Sequence, residues 1–319
     1  MEKIYLGIDI GGTDIKGGTV DKKGSIIKEL TIASEVEKGV DHVLERITQL
    51  VKQLKKSSGK HYTIAGIGLG IPGQIDSEKQ ILLNSPNLPL FKNIDVPSRL
   101  KSSLDLPVVW DNDANLAALG EFTYGAGKEV SEMMMITLGT GIGSGLVLNN
   151  KVYHGCKGFA GEFGHLTINP YGPQCNCGSR GCVEAYAGTN GIIRTFAEIT
   201  EKGTKTILNE KDMKNLTPKH LSEAVAKGDQ AAAETYKQVG FYLGVGLAGV
   251  VNLLNLEMIV VGGGIAKAGD LILDPARKAV KEYALRDPAN ILTIVPAALG
   301  NRAGLIGAAH LALLNAEDH

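Results

Sequence analysis

Ile4-Tyr-Leu-Gly-Ile-Asp9-Ile-Gly11-Gly12-Thr13-Asp14-Ile-Lys16-Gly-Gly-Thr-Val20 lies near the start of this 319-residue chain. Residues 4–10 are an apolar run with β-branched members, stopped by two glycines. Residues 15–20 read as a return strand, closed by a Lys-Lys-Gly turn. A second stretch echoes the first. At a constant offset of 128, Ile8 faces Ile136, Ile10 faces Leu138, Gly11 faces Gly139, Gly17 faces Gly145 and Lys23 faces Lys151. Both stretches give strand, glycine turn, strand and polar turn. The expected fold class is therefore α/β, built as two similar halves whose glycine turns face a shared cleft.

Between and beyond these hairpins the pattern alternates. Val40, Val43, Leu44, Ile47, Leu50, Val51 and Leu54 keep a helical period. Residues 64–71 and 107–110 read as buried strands, the second ending in Asp111-Asn112-Asp113. Thr217-Pro218 is a helix start, with Thr as cap and Pro in the first turn. Residues 229–255 read as a long helix, 257–261 as a strand, Gly262-Gly263-Gly264 as a turn and 304–314 as a helix. Residues 202–215 read as a solvated loop. Residues 239–256 carry no formal charge and sit at the lower length limit for a membrane span, but their asparagines and glycines favour a buried core helix.

Glycine turns at strand ends aim backbone N–H groups at a ligand, and anions fit there. The chain has no G-x-x-x-x-G-K-[ST], which excludes a P-loop. Gly68-Leu-Gly70-Ile-Pro72-Gly73 matches G-x-G-x-x-G in letters only, because Pro72 sits where a helix would open. Gly11-Gly12-Thr13 and Gly139-Thr140-Gly141 would instead clamp a phosphate chain from both halves, with Asp9 on a magnesium ion and Lys16 supplying charge. Taken alone, ordinary tight hairpins account for these turns equally well.

Three of four cysteines, Cys175, Cys177 and Cys182, fall within eight residues, just after Gly161-Glu-Phe-Gly-His165. Three thiolates and an imidazole suit a closed zinc tetrahedron, structural rather than catalytic. Glu162 and Glu184 are interleaved with them. The fourth cysteine, Cys156, reads as a small buried residue. Clustered cysteines without a visible signal peptide point to metal rather than disulfides, and to the cytoplasm. With 33 Lys and Arg against 34 Asp and Glu, there is no basic field to recruit nucleic acid.

Asp9-Ile-Gly-Gly-Thr-x-x-Lys16, Asp111-Asn112-Asp113, Leu138-Gly-Thr-Gly-Ile-Gly, Gly161-Glu-Phe-Gly-His165 and Cys175-x-Cys-Gly-x-x-Gly-Cys-x-Glu184 resemble, in order, the motifs of the ROK family (repressors, open reading frames and kinases). The resemblance runs from residue 4 to about 310, and its zinc segment is the most specific part. It implies two ribonuclease-H-like domains of the actin/hexokinase superfamily around a cleft, here residues 1–115 with about 303–319, and residues 116–302 with the zinc loop. It implies ATP-dependent phosphorylation of a hexose, most simply glucose, with magnesium and a structural zinc, and a homodimer or homotetramer. Asp113 then matches the catalytic base. Asn112, Glu162, His165 and Glu184 match sugar ligands, with Gly73 and Asn87 in loops that approach the sugar. Asp9, Gly11, Gly12, Thr13, Asp14, Lys16, Gly139, Thr140 and Gly141 match positions around the phosphates, and Gly263 and Gly264 the region near the adenosine. His165, Cys175, Cys177 and Cys182 match the zinc ligands.

Read from the residues alone, Asp113 is better taken as a helix N-cap for residues 114–121 than as a base. Beside the glucokinase reading stand kinases for fructose, mannose, allose or N-acetylmannosamine, polyphosphate as donor, a sugar-responsive repressor and a sugar-binding module without catalysis. Repressors of this family carry a helix-turn-helix ahead of the hairpin. A hairpin beginning at residue 4 sets the expectation that this chain has none.

Overall fold

A computed structural model describes residues 1–317; Asp318 and His319, the end of the expected 303–319 segment, lie outside the described residues. The chain divides into two compact units. The first comprises Met1–Ser131, Gly145–Gly161 and the described residues from Ala298 on; the second comprises Glu132–Ser144 and Glu162–Ala297. The expected boundaries differ from these in assigning residues 116–131, 145–161 and 298–302 to the second half.

In the first unit, β1 (Glu2–Ile10), β2 (Asp14–Val20) and β3 (Ile26–Ala33) form an antiparallel meander. Next come β4 (Tyr62–Ile71), a small hairpin of β5 (Gln74–Asp76) and β6 (Ile81–Asn84), and β7 (Val108–Asn112). The main sheet runs β3-β2-β1-β4-β7, with β4 and β7 parallel to β1. Alternation along β1 sorts its side chains. Ile4, Leu6, Ile8 and Ile10 enter the core built with the helix Val40–Ser57, while Tyr5 packs with the helix Ala303–Glu317 on the other face.

Gly7 and Gly68 make that second face possible. A Cβ on Gly7 would overlap the carbonyl oxygen of Leu305, and one on Gly68 that of Ala308. The helix Ala303–Glu317 thus lies on β1 and β4 at backbone contact, and it packs beside the helix Asp113–Tyr124.

The second sheet repeats the plan. β8 (Met133–Leu138), β9 (Ile142–Leu148), β10 (Lys151–Val152), β11 (Met258–Gly262) and β12 (Thr293–Pro296) run in the order β10-β9-β8-β11-β12. Strand for strand this is the order of the first sheet, and β11 and β12 are parallel to β8. The echo at offset 128 is therefore a repeated sheet. In the second unit, Val239, Leu243, Leu247 and Val251 are fully buried along the helix Gln230–Leu254, which packs on the helix Asp270–Tyr283. By length and composition this helix could cross a membrane, but its period-four stripe is spent on the unit's own core.

Two expectations need correction. Residues 202–215 are not all loop: Glu210–Met213 is a short helix. Asn209 N–H donates to Asp212 Oδ2 (3.0 Å) and Asp212 N–H to Asn209 Oδ1 (3.2 Å), a reciprocal capping pair. Cys156 is exposed, not buried. It sits in a turn between Gly155 and Gly158, both left-handed, where no strand or helix covers it.

Gly7→Ala tests the helix seat. Alanine in a strand interior gains about 0.5–1 kcal/mol over glycine, but overpacking costs about 1–3 kcal/mol. The substitution is expected to lower the thermal unfolding midpoint, because the rigid Leu305 carbonyl cannot yield as a side chain would.

Candidate active site

Within the first unit, the predicted residues gather at the ends of β1, β4 and β7. Asp9 and Lys16 are cross-strand partners in the β1–β2 register. Burial pushes the Asp9 carboxyl above its usual range, and Lys16 opposes that shift. Both Asp9 and the backbone of Asp113 lie beside Gly304, at the start of the C-terminal helix: a Cβ there would be 3.6 Å from Asp9 Oδ2 and 3.9 Å from the Asp113 carbonyl oxygen. The first glycine turn is closed by Gly11 N–H donating to Asp14 C=O (2.8 Å). It is braced by Ser34, whose hydroxyl donates to Gly12 C=O (2.8 Å) and whose N–H donates to Thr13 C=O (2.8 Å). Asn87 backs Gly12, its carbonyl oxygen 3.0 Å from where a Cβ would stand.

The cap expected of Asp113 belongs to the residue before it. Asn112 is the N-cap of the helix Asp113–Tyr124: its Oδ1 accepts from Ala114 N–H (2.9 Å) and Asn115 N–H (3.2 Å). Asp113 is the first helical residue, and its Oδ1 accepts from Ala114 N–H (3.0 Å). Asn112 Nδ2 donates to Gly73 C=O (3.0 Å), which leaves this amide one further N–H. Gly73 and Asn112 thus come together.

Within the second unit, Gly139 N–H donates to Gly141 C=O (2.9 Å), closing the second turn. Gly139 C=O accepts from Thr189 Oγ1 (3.0 Å). Among the described residues, the N–H groups of Gly12 and Thr13 in one turn, and of Thr140 and Gly141 in the other, find no protein acceptor. Such N–H pairs suit anionic oxygens. Glu184 lies directly under the second turn: its Oε2 accepts from Ile142 N–H (2.9 Å), and a Cβ on Gly141 would collide with it. Gly263, left-handed, abuts the Leu138 backbone, so the third glycine turn joins the second; Gly264 beside it is exposed.

Glu162 and His165 flank a short turn anchored by Phe163 N–H on Ser144 Oγ (3.1 Å). Both are exposed, as ligand-facing residues can be. A ring nitrogen of His165 and the sulfurs of Cys175, Cys177 and Cys182 all lie within 4.8 Å of one another. Nδ1 is 3.8 Å from Cys175 Sγ, and Cys177 Sγ is 3.7 Å from Cys182 Sγ. Zinc–thiolate bonds of about 2.3 Å at tetrahedral angles give sulfur–sulfur edges of about 3.8 Å. These two separations match such an edge, and the four side chains form a group that could hold a metal ion. Burial pushes the Cys175 thiol up to about 12 and Cys182 upward too, while the Ser179 backbone holds Cys177 down. A metal bound by these thiols would take them as thiolates and release their protons. Cys175 Sγ also approaches Glu184 Oε1 (3.8 Å), which ties the knot to that acid.

The sequence pattern of the ROK family matches residues 5–315. A glucokinase of Halalkalibacterium halodurans is 38% identical over 96% of this chain and 94% of its own length. The chain belongs to the ROK family. Among solved structures, a ROK family glucokinase from Streptomyces griseus, in complex with glucose and AMPPNP, superposes with a TM-score of 0.83. It is 32% identical, covering 98% of this chain and 99% of the other. The family also holds regulators: the xylose repressor of Bacillus subtilis is 31% identical over 95% of this chain and 75% of its own length. The ROK motifs are the ones whose residues gather here within each unit.

One neighbour escaped the sequence. His154 Nε2 lies 2.6 Å from Asp111 Oδ2, in the same unit and beside Asn112. No spacing or pattern links two residues 43 positions apart.

Removing the cap separates two roles of Asn112. Asn112→Ala is expected to cost about 0.5–2 kcal/mol of stability, whereas Asn112→Asp keeps a capping oxygen and loses only the bond to Gly73. Chemical denaturation of both variants checks the ordering.

Proposed function

We propose that this chain is an ATP-dependent glucokinase, moving the terminal phosphoryl group of ATP to the 6-hydroxyl of glucose. The observation that carries the reading is similarity along nearly the whole chain to glucokinases, including one solved with glucose and AMPPNP. Phosphoryl transfer needs positioning and charge neutralisation more than covalent chemistry. In this reading Asp113 orients the attacking hydroxyl and accepts its proton as the new O–P bond forms and the bond to ADP breaks. Its support is Asn112, which caps the helix and so relieves Asp113 of that duty.

Gly73, Asn87, Asn112, Glu162, His165 and Glu184 are proposed to bind the sugar. A ring of hydroxyls is satisfied by carboxylates and amides, and each buried group left unmatched costs about 1–3 kcal/mol. Gly11, Gly12, Thr13, Asp14 and Lys16, with Gly139, Thr140 and Gly141, take the phosphates. Gly263 and Gly264 take the adenosine side. Asp9 would hold magnesium, which neutralises phosphate charge. Zinc would be held by His165, Cys175, Cys177 and Cys182, leaving His165 Nε2 for a sugar hydroxyl. The zinc fixes the loop. Two functional lobes, 1–115 with 303–319 and 116–302, a cytoplasmic enzyme and a homodimer or homotetramer complete the proposal.

Asp113→Asn is expected to lower kcat by about 100- to 10,000-fold while calorimetric glucose binding survives; unchanged turnover in a coupled assay would refute the base. A hexose panel at fixed ATP and magnesium, ranked by kcat/KM, should place glucose first. Another hexose at the top would leave the kinase standing and replace the substrate.

Protein purified without added metal should carry about one zinc per chain by elemental analysis. Cys182→Ser should lose that metal and unfold at lower temperature. Metal-free protein with full stability would sink the zinc site.

A further inference from the structure

We propose that His154 is a positioning residue that acts through Asp111 to hold Asp113 in its productive direction, an inference that rests on Asp113 being the base.

The geometry starts at the sheet edge. β7 is the last strand of its sheet, so one side of its backbone has no strand neighbour. Asn112 N–H finds its acceptor instead in the side chain before it, Asp111 Oδ1, at 2.7 Å. The same oxygen accepts from Asn115 Nδ2 (3.1 Å), one turn into the helix that Asn112 caps. A carboxylate held through one oxygen alone still swings about that point. His154 holds the other: its Nε2 is 2.6 Å from Asp111 Oδ2. Two anchored oxygens fix the carboxylate plane, and that plane fixes the strand-to-helix junction on which Asp113 is the next residue but one.

The pair is also suited to persist. The Asp111 side chain is 13% exposed and that of His154 40%. The hydrogen bond to Asp111 raises the His154 pKa above its ordinary value, against the effect of burial, and a bond to the Val152 backbone adds to it. The chain after His154 is fastened as well. Lys157 C=O accepts from Ser77 N–H (3.1 Å), and Gly158 lies against the Ile75 carbonyl. Residues 73–77 are thus tied to Asn112 at one end and to the His154 segment at the other. His154 closes this ring of contacts.

The test compares His154→Ala, His154→Gln and Asp113→Asn in the full-length protein. Each is measured for kcat, KM for glucose, unfolding midpoint and emission of Trp110. Trp110 is the only tryptophan of the chain and the immediate neighbour of Asp111. Displacement of a reacting group by about 1 Å can cost about 100-fold. His154→Ala is therefore expected to lose about 10- to 100-fold in kcat, more than KM changes, with altered Trp110 emission. His154→Gln restores a donor to Asp111 and is expected to recover most of the rate and the emission. Should His154→Ala not fold, the glutamine variant carries the test, with near-native kcat expected. An inactive Asp113→Asn beside a fully active His154→Ala overturns this inference and leaves the base standing. A fully active Asp113→Asn overturns the base, and this inference with it. Equal losses in the alanine and glutamine variants, tracking lost folded protein, also overturn it.

Discussion

The contact between the helix Ala303–Glu317 and the sheet beneath it sets the geometry of the first unit. Helix and strand backbones touch only because Gly7 and Gly68 offer no side chains at the points where the carbonyls of Leu305 and Ala308 descend. That closeness brings the helix start, at Gly304, beside Asp9 and the Asp113 backbone. It also walls in Asp9, whose carboxyl then favours its proton more than an open one would. Lys16, its partner across the strand, acts against that shift. The same packing that stabilises the sheet thus prepares a charged site at its edge.

The second unit reaches a comparable end by different means. Its turn at Gly139–Gly141 has no facing acid–lysine pair. Glu184 sits beneath it instead, bonded to Ile142 N–H and within reach of the Cys175 sulfur. Residues 166–182 hold few buried apolar side chains, so packing alone gives this loop little to fold around. Four donor atoms lie within 4.8 Å of one another there, and a metal bound by them would compensate for that shortage. Order repeats between the two sheets, but the support given to each turn does not.

Much of this was legible in the residues. Apolar runs ended by glycine located β1, β2, β8 and β9, because short strands with β-branched residues are a local signal. The Cys-x-Cys spacing after His165 located a group of side chains that could hold a metal, since they crowd one short segment. Asp113 was legible only as base or cap; the cap falls instead to Asn112, one residue earlier, which takes it with its own side chain. His154 was not legible, because its partner Asp111 is reached through tertiary folding. Cys156 was misread because a general preference of free cysteines for the interior says nothing about a turn bounded by two left-handed glycines. The helix Glu210–Met213 was missed because its reciprocal cap is built from Asn and Asp, residues that signal loops just as strongly.

The path of the chain through the two units bears on how it folds. β1 to β7 are made first, yet the helix that covers one face of their sheet is made from residues 303–317, after the whole second unit. During synthesis the first sheet therefore waits with Tyr5, Gly7 and Gly68 uncovered while residues 162–297 emerge. The second unit needs no such late piece and is free to close before the first is complete. Domains ordinarily fold in the order they are made. Here the order is inverted by topology, and the interval in which an apolar sheet face stands open is the stage at which a chaperone would have most to hold.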